Sequence, residues 1–416
     1  MKLRFTRRHA VFVAVLAAVA YIARGLAQLL TLGQQDLKYD FGQSWGAGVA
    51  LNHGQNPYAE YLRVCGGVHF CPTGYVYPPL YAEILRPLGG LPLHVAGAIW
   101  LLVMHACVVA TIVVLGRLVS RSLSPATTAT LLAASLLFFP LWQALYFIQI
   151  IPFLALLLSL AATAYVHRRD DVAGGILGFG AALRVSPLLI GPALLVRREQ
   201  WRRPLGVAAM VAVLALFAAI MAWLTPYALF YLRHVAPTLA AGSAELDNQS
   251  PDGILMRLQV LAPGLLPVAA PRLAQALTVV VVAVTWWLAR GDADDRRRAL
   301  VFAAFLAATP LASTLTEPYH FTTELVVFAL AAASLPPRSL QWWLALVSYP
   351  LLWIDGHVTN PIAIALGLSH PSGWRIAPFL LVTGTNLAGA LALWAACAIA
   401  LRRTRGPGGL AEDPAE

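Results

Sequence analysis

The chain has 416 residues, 59% of them hydrophobic and only 12% charged, whereas a soluble domain carries about 25% charged residues. That excludes the two or three soluble domains the length would allow and leaves a polytopic helical membrane protein. The net charge of +10 sits in short arginine clusters between apolar runs, so it bears on topology and argues against a nucleic-acid-binding face.

The N-terminus, MKLRFTRRH, is basic and runs straight into the apolar stretch 10–30. That run is too long for a signal-peptide core and no small-residue cleavage site follows, so it is predicted to be an uncleaved first span with a cytoplasmic start. Residues 32–92 then form a long external loop. It opens with Asp36 and Asp40, two carboxylates at a membrane edge. A helix is predicted from Phe41 to Asn52, with Trp45, Val49 and Leu51 on or near one face; Gly54 stops it and Pro57 follows. Cys65 and Cys71 flank a Gly-rich turn and would suit a disulfide if this loop faces an oxidising compartment. With His69 they supply too few ligands for a metal. Cys107 and Cys397 lie in apolar runs and read as packing residues.

Residues 93–116 return to Arg117 and Arg121. Residues 122–166 are 45 positions without Asp, Glu, Lys or Arg; they are predicted to cross twice, turning at 140–149. Residues 172–196 have basic clusters at both ends and Arg184 between. A single crossing would invert every later basic loop, so a hairpin broken at 183–187 is expected, Pro187 supporting the break. The later segments are 205–225, 273–289, 299–315, 321–335, 340–354 and 376–401, with external loops at 226–265 and 355–375 and a flexible tail at 402–416. The sum is an all-α, single-domain protein of about twelve membrane segments, both termini cytoplasmic and most Lys and Arg inside. No repeat of solenoid period is present.

Charges outside the cytoplasmic clusters need a reason in such a chain. They include Asp40, Arg184, Asp247, Asp252, Arg257 and Glu317, with His53, His320 and His357, and the long loops holding them are all on one predicted face. That asymmetry suits an enzyme working at the face. A lipid or polysaccharide transporter, the alternative, would more often bury paired charges at the midplane of related halves.

Several pieces, in order along nearly the whole chain, resemble the polyprenol-phosphate-mannose-dependent mannosyltransferases, glycosyltransferase family 87 of the GT-C class. They are Asp40-Phe41 after the first span; Gly54-Gln55-Asn56-Pro57-Tyr58; Tyr77-Pro78-Pro79 with Pro87-Leu88; Leu183-Arg184-Val185-Ser186-Pro187; Asn248-Gln249-Ser250 with Gly253 and Arg257; and Pro318-Tyr319-His320. Three departures stand out: Arg184 where the family usually has Lys, Ile148-Gln149 where a Gly-Gln pair is usual, and a His320 region without the second histidine that many members show.

The resemblance implies an inverting transfer of a sugar, mannose first, from a polyprenyl-phosphate donor to a glycolipid or polysaccharide hydroxyl. The active site would be on the extracytoplasmic face of the plasma membrane; a GT-C transferase for another sugar is the nearest alternative. One base suffices for that chemistry, unlike the two carboxylates of a hydrolase. Asp40 is expected to be that base, against the simpler reading of a helix N-cap; Asp36 is expected to be a solvated loop acid. Arg184, His320 and Arg257 would meet the donor phosphate or sugar, against readings of Arg184 as a snorkelling side chain and Arg257 as a headgroup anchor. Asn248, Gln249 and Tyr58 would contact substrate. No cofactor is expected and no convincing metal-ligand cluster is present in the sequence; one base with basic phosphate ligands could suffice, and the sequence leaves a metal requirement open.

Overall fold

The computed structural model describes residues 7–35, 37, 40–65, 74–196, 203–291, 294–354, 356–368 and 371–404. It is built of helices, with no strand among the described residues. Hydrocarbon offers no partner for a backbone N–H or C=O, so a chain this apolar must satisfy those groups within each segment.

The chain runs through α1 (Arg7–Thr31), α2 (Phe41–Asn52), α3 (Ala59–Cys65), α4 (Pro79–Leu85) and α5 (Leu93–Val119). The uncharged stretch becomes α6 (Pro125–Leu137), α7 (Phe139–Tyr146) and α8 (Ile151–Val166), with a 40° bend between the first two. After α9 (Asp170–Leu183) the helix breaks at Arg184 and a 3-10 helix, Ser186–Leu195, continues. Next come α10 (Arg203–Leu224), α11 (Tyr227–Phe230), a π-helical turn at Tyr231–Val235, α12 (Ala236–Leu239), α13 (Pro251–Leu261), α14 (Ala270–Ala289) and α15 (Asp295–Ala308). A 3-10 helix, Pro318–Thr323, leads into α16 (Glu324–Ser334), followed by α17 (Leu340–Leu351), α18 (Gly356–Ala365), α19 (Ile376–Thr383) and α20 (Thr385–Arg403).

Five helices are long and apolar enough to cross a membrane: α1, α5, α10, α14 and α20, or six if α6 and α7 form one bent span. The twelve expected segments are not all of this kind. Helices α8, α15, α16 and α17 have 16, 14, 11 and 12 residues, at most about 24 Å at 1.5 Å per residue, short of the ~30 Å hydrocarbon core. Several of these are apolar because they are buried in protein. In α15 every residue from Arg297 to Ala308 is buried, as expected of a helix that is apolar all round. The segment 376–401 is interrupted at Gly384, between α19 and α20.

Packing is tight where small residues meet. Helices α9 and α10 pack along each other; a Cβ added at Gly174 would lie 1.9 Å from the Gly206 carbonyl oxygen, and one at Gly178 would lie 2.4 Å from that of Met210. Only glycine permits so close a backbone approach. Two arginines from the basic run are structural staples. Arg298 is wholly buried, ion-paired to Asp170, with Nε donating to the Tyr165 carbonyl at 2.6 Å and its guanidinium 3.9 Å from the Tyr165 ring centroid. Arg297 donates to carbonyls closing α14 and α20, at Arg290 (2.9 Å) and Leu401 (3.0 Å).

Helix α2 has the expected bounds but buries a different face. Phe41, Ser44, Ala47, Gly48 and Leu51 point inward, with Trp45 and Val49 only partly covered. The small residues decide this: a Cβ at Gly48 would sit 2.8 Å from the Leu85 carbonyl oxygen, so the thin side of α2 packs on α4, with Trp45 and Val49 at its margin.

Candidate active site

A cavity of about 930 Å³ opens where several chain breaks converge. Its wall takes Asp40 from the turn before α2, Tyr77 from the approach to α4, Phe147 and Gln149 from the α7–α8 turn, and Arg184 from the break after α9. Asp247, the segment from Ala312 to His320, and Gly356 and Asn360 of α18 complete it. One flank is apolar, with Phe147, Leu188, Leu189 and Leu239. The polar groups come from turns and helix ends because those are where backbone direction changes and side chains can point inward.

Asp40 stands at the N-cap position of α2, but its side chain makes no capping bond and its backbone has φ 48°. Its Oδ1 accepts from Gln149 Nε2 at 2.7 Å, and Gln149 Oε1 accepts from the Tyr77 hydroxyl at 2.7 Å. Burial pushes the Asp40 carboxyl up to about 6, the Gln149 bond offsetting part of that rise. The N-cap reading therefore gives way to a side chain aimed at the cavity.

In the same cavity Arg184 and His320 meet: Nη2 lies 2.5 Å from His320 Nε2, and the guanidinium lies 5.5 Å from the Tyr77 ring centroid. His320 Nδ1 accepts from the Glu317 backbone N–H at 2.9 Å. That N–H can only donate, so the hydrogen-bond network assigns the proton of a neutral ring to Nε2. Burial and the adjacent Arg184 hold His320 well below its ordinary range, which keeps it neutral. Arg184 Nη2 and a protonated His320 Nε2 then face each other as two donors with no acceptor between them at 2.5 Å. An anion that moved them apart and accepted from both would relieve that contact. Glu317 shares the wall; its carboxylate accepts from the Tyr319 hydroxyl, and burial pushes it up to about 7. No group of three or more His, Cys, Asp or Glu side chains among the described residues is arranged to hold a metal ion.

A family model, Glycosyltransferase family 87, matches residues 75–315 of this chain, more than half its length. The chain belongs to glycosyltransferase family 87. It is accordingly a glycosyltransferase, with several membrane-capable helices. Among solved structures it is similar to the crystal structure of ArnT from Cupriavidus metallidurans bound to undecaprenyl phosphate, at 16% identity and a TM-score of 0.44, over 92% of this chain and 76% of that one. No curated protein matches.

In this family 87 transferase the remaining expected site residues stand behind the cavity wall. Asn248 is buried and its amide is spent on backbone: Nδ2 donates to Ser243 and Thr314 carbonyls at 2.9 and 3.0 Å, and Oδ1 accepts from the Thr316 N–H at 3.1 Å. Gln249 Nε2 donates to the Leu246 and Thr383 carbonyls. Together they tie the 243–250 loop to the segment carrying Glu317 and His320. Buried Tyr58 donates to the Tyr77 carbonyl at 3.0 Å and supports that residue from behind. Arg257 is buried, donates to the Glu245 carbonyl, and burial lowers it to about 10. The Cys65–Cys71 pairing and Asp36 lie outside the described residues. Gln149 is a site residue the motifs do not mark, although a buried polar side chain inside a long uncharged run is itself a functional signal; Asp247 and Glu317 stood out as charges outside the cytoplasmic clusters without an assigned role, and Asn360 carries no mark in the sequence.

Proposed function

We propose that the protein is an inverting glycosyltransferase that moves a sugar, mannose by family resemblance, from a polyprenyl-phosphate carrier to a hydroxyl of a glycolipid or polysaccharide. In this reading Asp40 is the general base and the cavity opens to the extracytoplasmic face. The observation that carries it is the presence, in one cavity, of the half-buried Asp40 carboxylate and the donor groups of Arg184 and His320. As the acceptor oxygen attacks the anomeric carbon, its proton passes to Asp40. The bond from that carbon to the phosphate oxygen breaks, and the electron pair stays on the phosphate. The phosphate gains one negative charge, which Arg184 and the His320 Nε2–H are positioned to meet. The apolar flank supports a lipid carrier, since Phe147, Leu188, Leu189 and Leu239 offer isoprene units a dry wall.

The test is transfer from sugar-labelled polyprenyl phosphomannose to the glycolipid and polysaccharide fractions of membranes containing the protein. Asp40→Asn keeps the size of the side chain and should lower transfer by roughly 10²–10⁴-fold, the usual contribution of a positioned base. A base works deprotonated, so with Asp40 at about 6 the rate should climb as pH rises through that value and level off above it. Near wild-type transfer by Asp40→Asn would remove the base assignment, and labelling only by another sugar carrier would remove mannose.

A further inference from the structure

Two non-glycine residues with positive φ flank the Gln149–Asp40 hydrogen bond, one at its acceptor and one beside its donor. Asp40 has φ 48°; Ile148, next to Gln149, has φ 53°. Ile148 is the more unusual, because a β-branched side chain is a genuine outlier there. Its setting explains the conformation. The Ile148 N–H donates to the Leu145 carbonyl at 3.0 Å and the Gln149 N–H to the Ala144 carbonyl at 2.8 Å. That is the paired closure of a helix C-terminus that normally places glycine where Ile148 stands.

The side chain of Ile148 is fully buried. A Cβ added to Gly97 of α5 would lie 3.7 Å from Ile148 Cδ1, 3.5 Å from Phe41 Cε1 and 3.1 Å from Leu37 Cδ1. The turn bearing Gln149 and the turn bearing Asp40 are therefore seated on the same point of α5. Their separation is set by apolar packing that neither polar side chain contributes. Gln149 is itself 5% exposed. Its carbonyl oxygen is held by the Tyr77 hydroxyl, so its amide cannot turn over without presenting Oε1 to the carboxylate and Nε2 to the phenol oxygen.

Resting on the reading of Asp40 as the base, we infer that Gln149 is a positioning residue. It is clamped by Ile148 and oriented by Tyr77, it holds Asp40 Oδ1 and leaves Oδ2 as the oxygen that takes the acceptor proton. The same chain reaches the anion-binding side, since Tyr77 carries the Arg184 guanidinium over its ring. A carboxylate with one committed oxygen cannot swing about its side-chain torsion, which keeps the accepting oxygen aimed at one place. The Gln149 bond also favours the ionised form of Asp40. The other titratable groups of the cavity are Tyr77, Arg184, Tyr231, Asp247, Glu317, Tyr319 and His320; Glu317 is coupled electrostatically to Asp40, so a pH profile belongs to the group and needs a direct readout of Asp40.

The experiment compares Gln149→Met, which keeps length and removes both polar atoms, with Tyr77→Phe, which leaves Gln149 but frees its amide. Transfer from labelled polyprenyl phosphomannose is measured against donor concentration and pH on folded protein. Asp40 ionisation is followed without turnover, by infrared difference spectra referenced to Asp40→Asn. Gln149→Met should lower kcat by about 10²-fold, the scale of a misplaced reacting group, with donor KM within about twofold. It should also move both the acid limb and the Asp40 infrared titration to higher pH; Tyr77→Phe should do the same to a smaller degree. Wild-type kcat and an unmoved titration in Gln149→Met would overturn the inference. If Gln149→Met does not fold, an unmoved titration in Tyr77→Phe overturns it. If Asp40→Asn is inactive while Gln149→Met is normal, the positioning role alone falls; if Asp40→Asn transfers normally, the base reading falls with it.

Discussion

Arg184 and His320 offer an anion different things. Arginine brings a fixed charge and a planar fork; neutral His320 brings one directed N–H, oriented from the far side of its ring by the Glu317 backbone. The two should separate in kinetics. Losing a hydrogen bond to a charged group is worth ~1.5–3 kcal/mol, about 10–10²-fold in kcat/KM for the carrier. Arg184→Ala should exceed that, raising donor KM and lowering kcat together, because ground-state and developing charge are both lost. Arg184→Lys should recover part of the loss. His320→Gln, which can still present an N–H, should retain more activity than His320→Leu at unchanged donor length. Equal losses in the two His320 variants would show that the ring, and not its Nε2–H, is what matters. Steady-state transfer with carriers of one chain length provides the comparison.

At the scale of single elements, function sits where helices fail to continue. The α9 break presents Arg184, the α7–α8 closure presents Gln149, and the start of α2 presents Asp40. Each needs a backbone conformation that a straight span would not supply. Ile148 tests how that conformation is maintained. Ile148→Gly relieves left-handed strain of about 1–2 kcal/mol, but removes a fully buried side chain whose loss is worth about 2–5 kcal/mol. Net destabilisation is expected, read as a lower melting temperature in detergent, with kcat falling because the Gln149 turn loses its seat on α5. A variant more stable than wild type would mean that packing at Gly97 contributes less than the strain.

Across the whole molecule, α15 is the post around which other helices stand, and its first turn is anchored by charge. Arg298 joins α15 to the end of α8 and the start of α9 through Tyr165 and Asp170. Removing one partner of a buried pair leaves the other uncompensated, so Arg298→Met should destabilise by about 3–5 kcal/mol, whereas Arg298→Met with Asp170→Leu should recover most of the loss. Thermal unfolding of the single and double variants measures this; no recovery in the double variant would mean that the hydrogen bond to Tyr165, not the ion pair, is what α15 depends on.

Much of this was legible in residue order. Long continuous apolar runs with so few charges favour helices in lipid, because a closed barrel, the other way to satisfy the backbone there, alternates apolar and polar residues. Asp40 was conspicuous because a carboxylate beside a span is expensive, the bounds of α2 followed from Gly54 and Pro57, and Pro187 marked the break that exposes Arg184. The family was readable from short motifs because they are local. What sequence order could not supply is everything that joins distant segments. Gln149 and Asp40 are 109 residues apart, and nothing local tells a glutamine that holds a carboxylate from one that faces a lipid headgroup. Asn248 reads like a substrate ligand until Thr314 and Thr316 are seen to claim its amide. Hydropathy counted α15 and α16 as ordinary spans because burial against lipid and burial against protein select the same residues. Only the folded chain distinguishes them, since neighbours rather than polarity decide which apolar helix is a wall and which is the core.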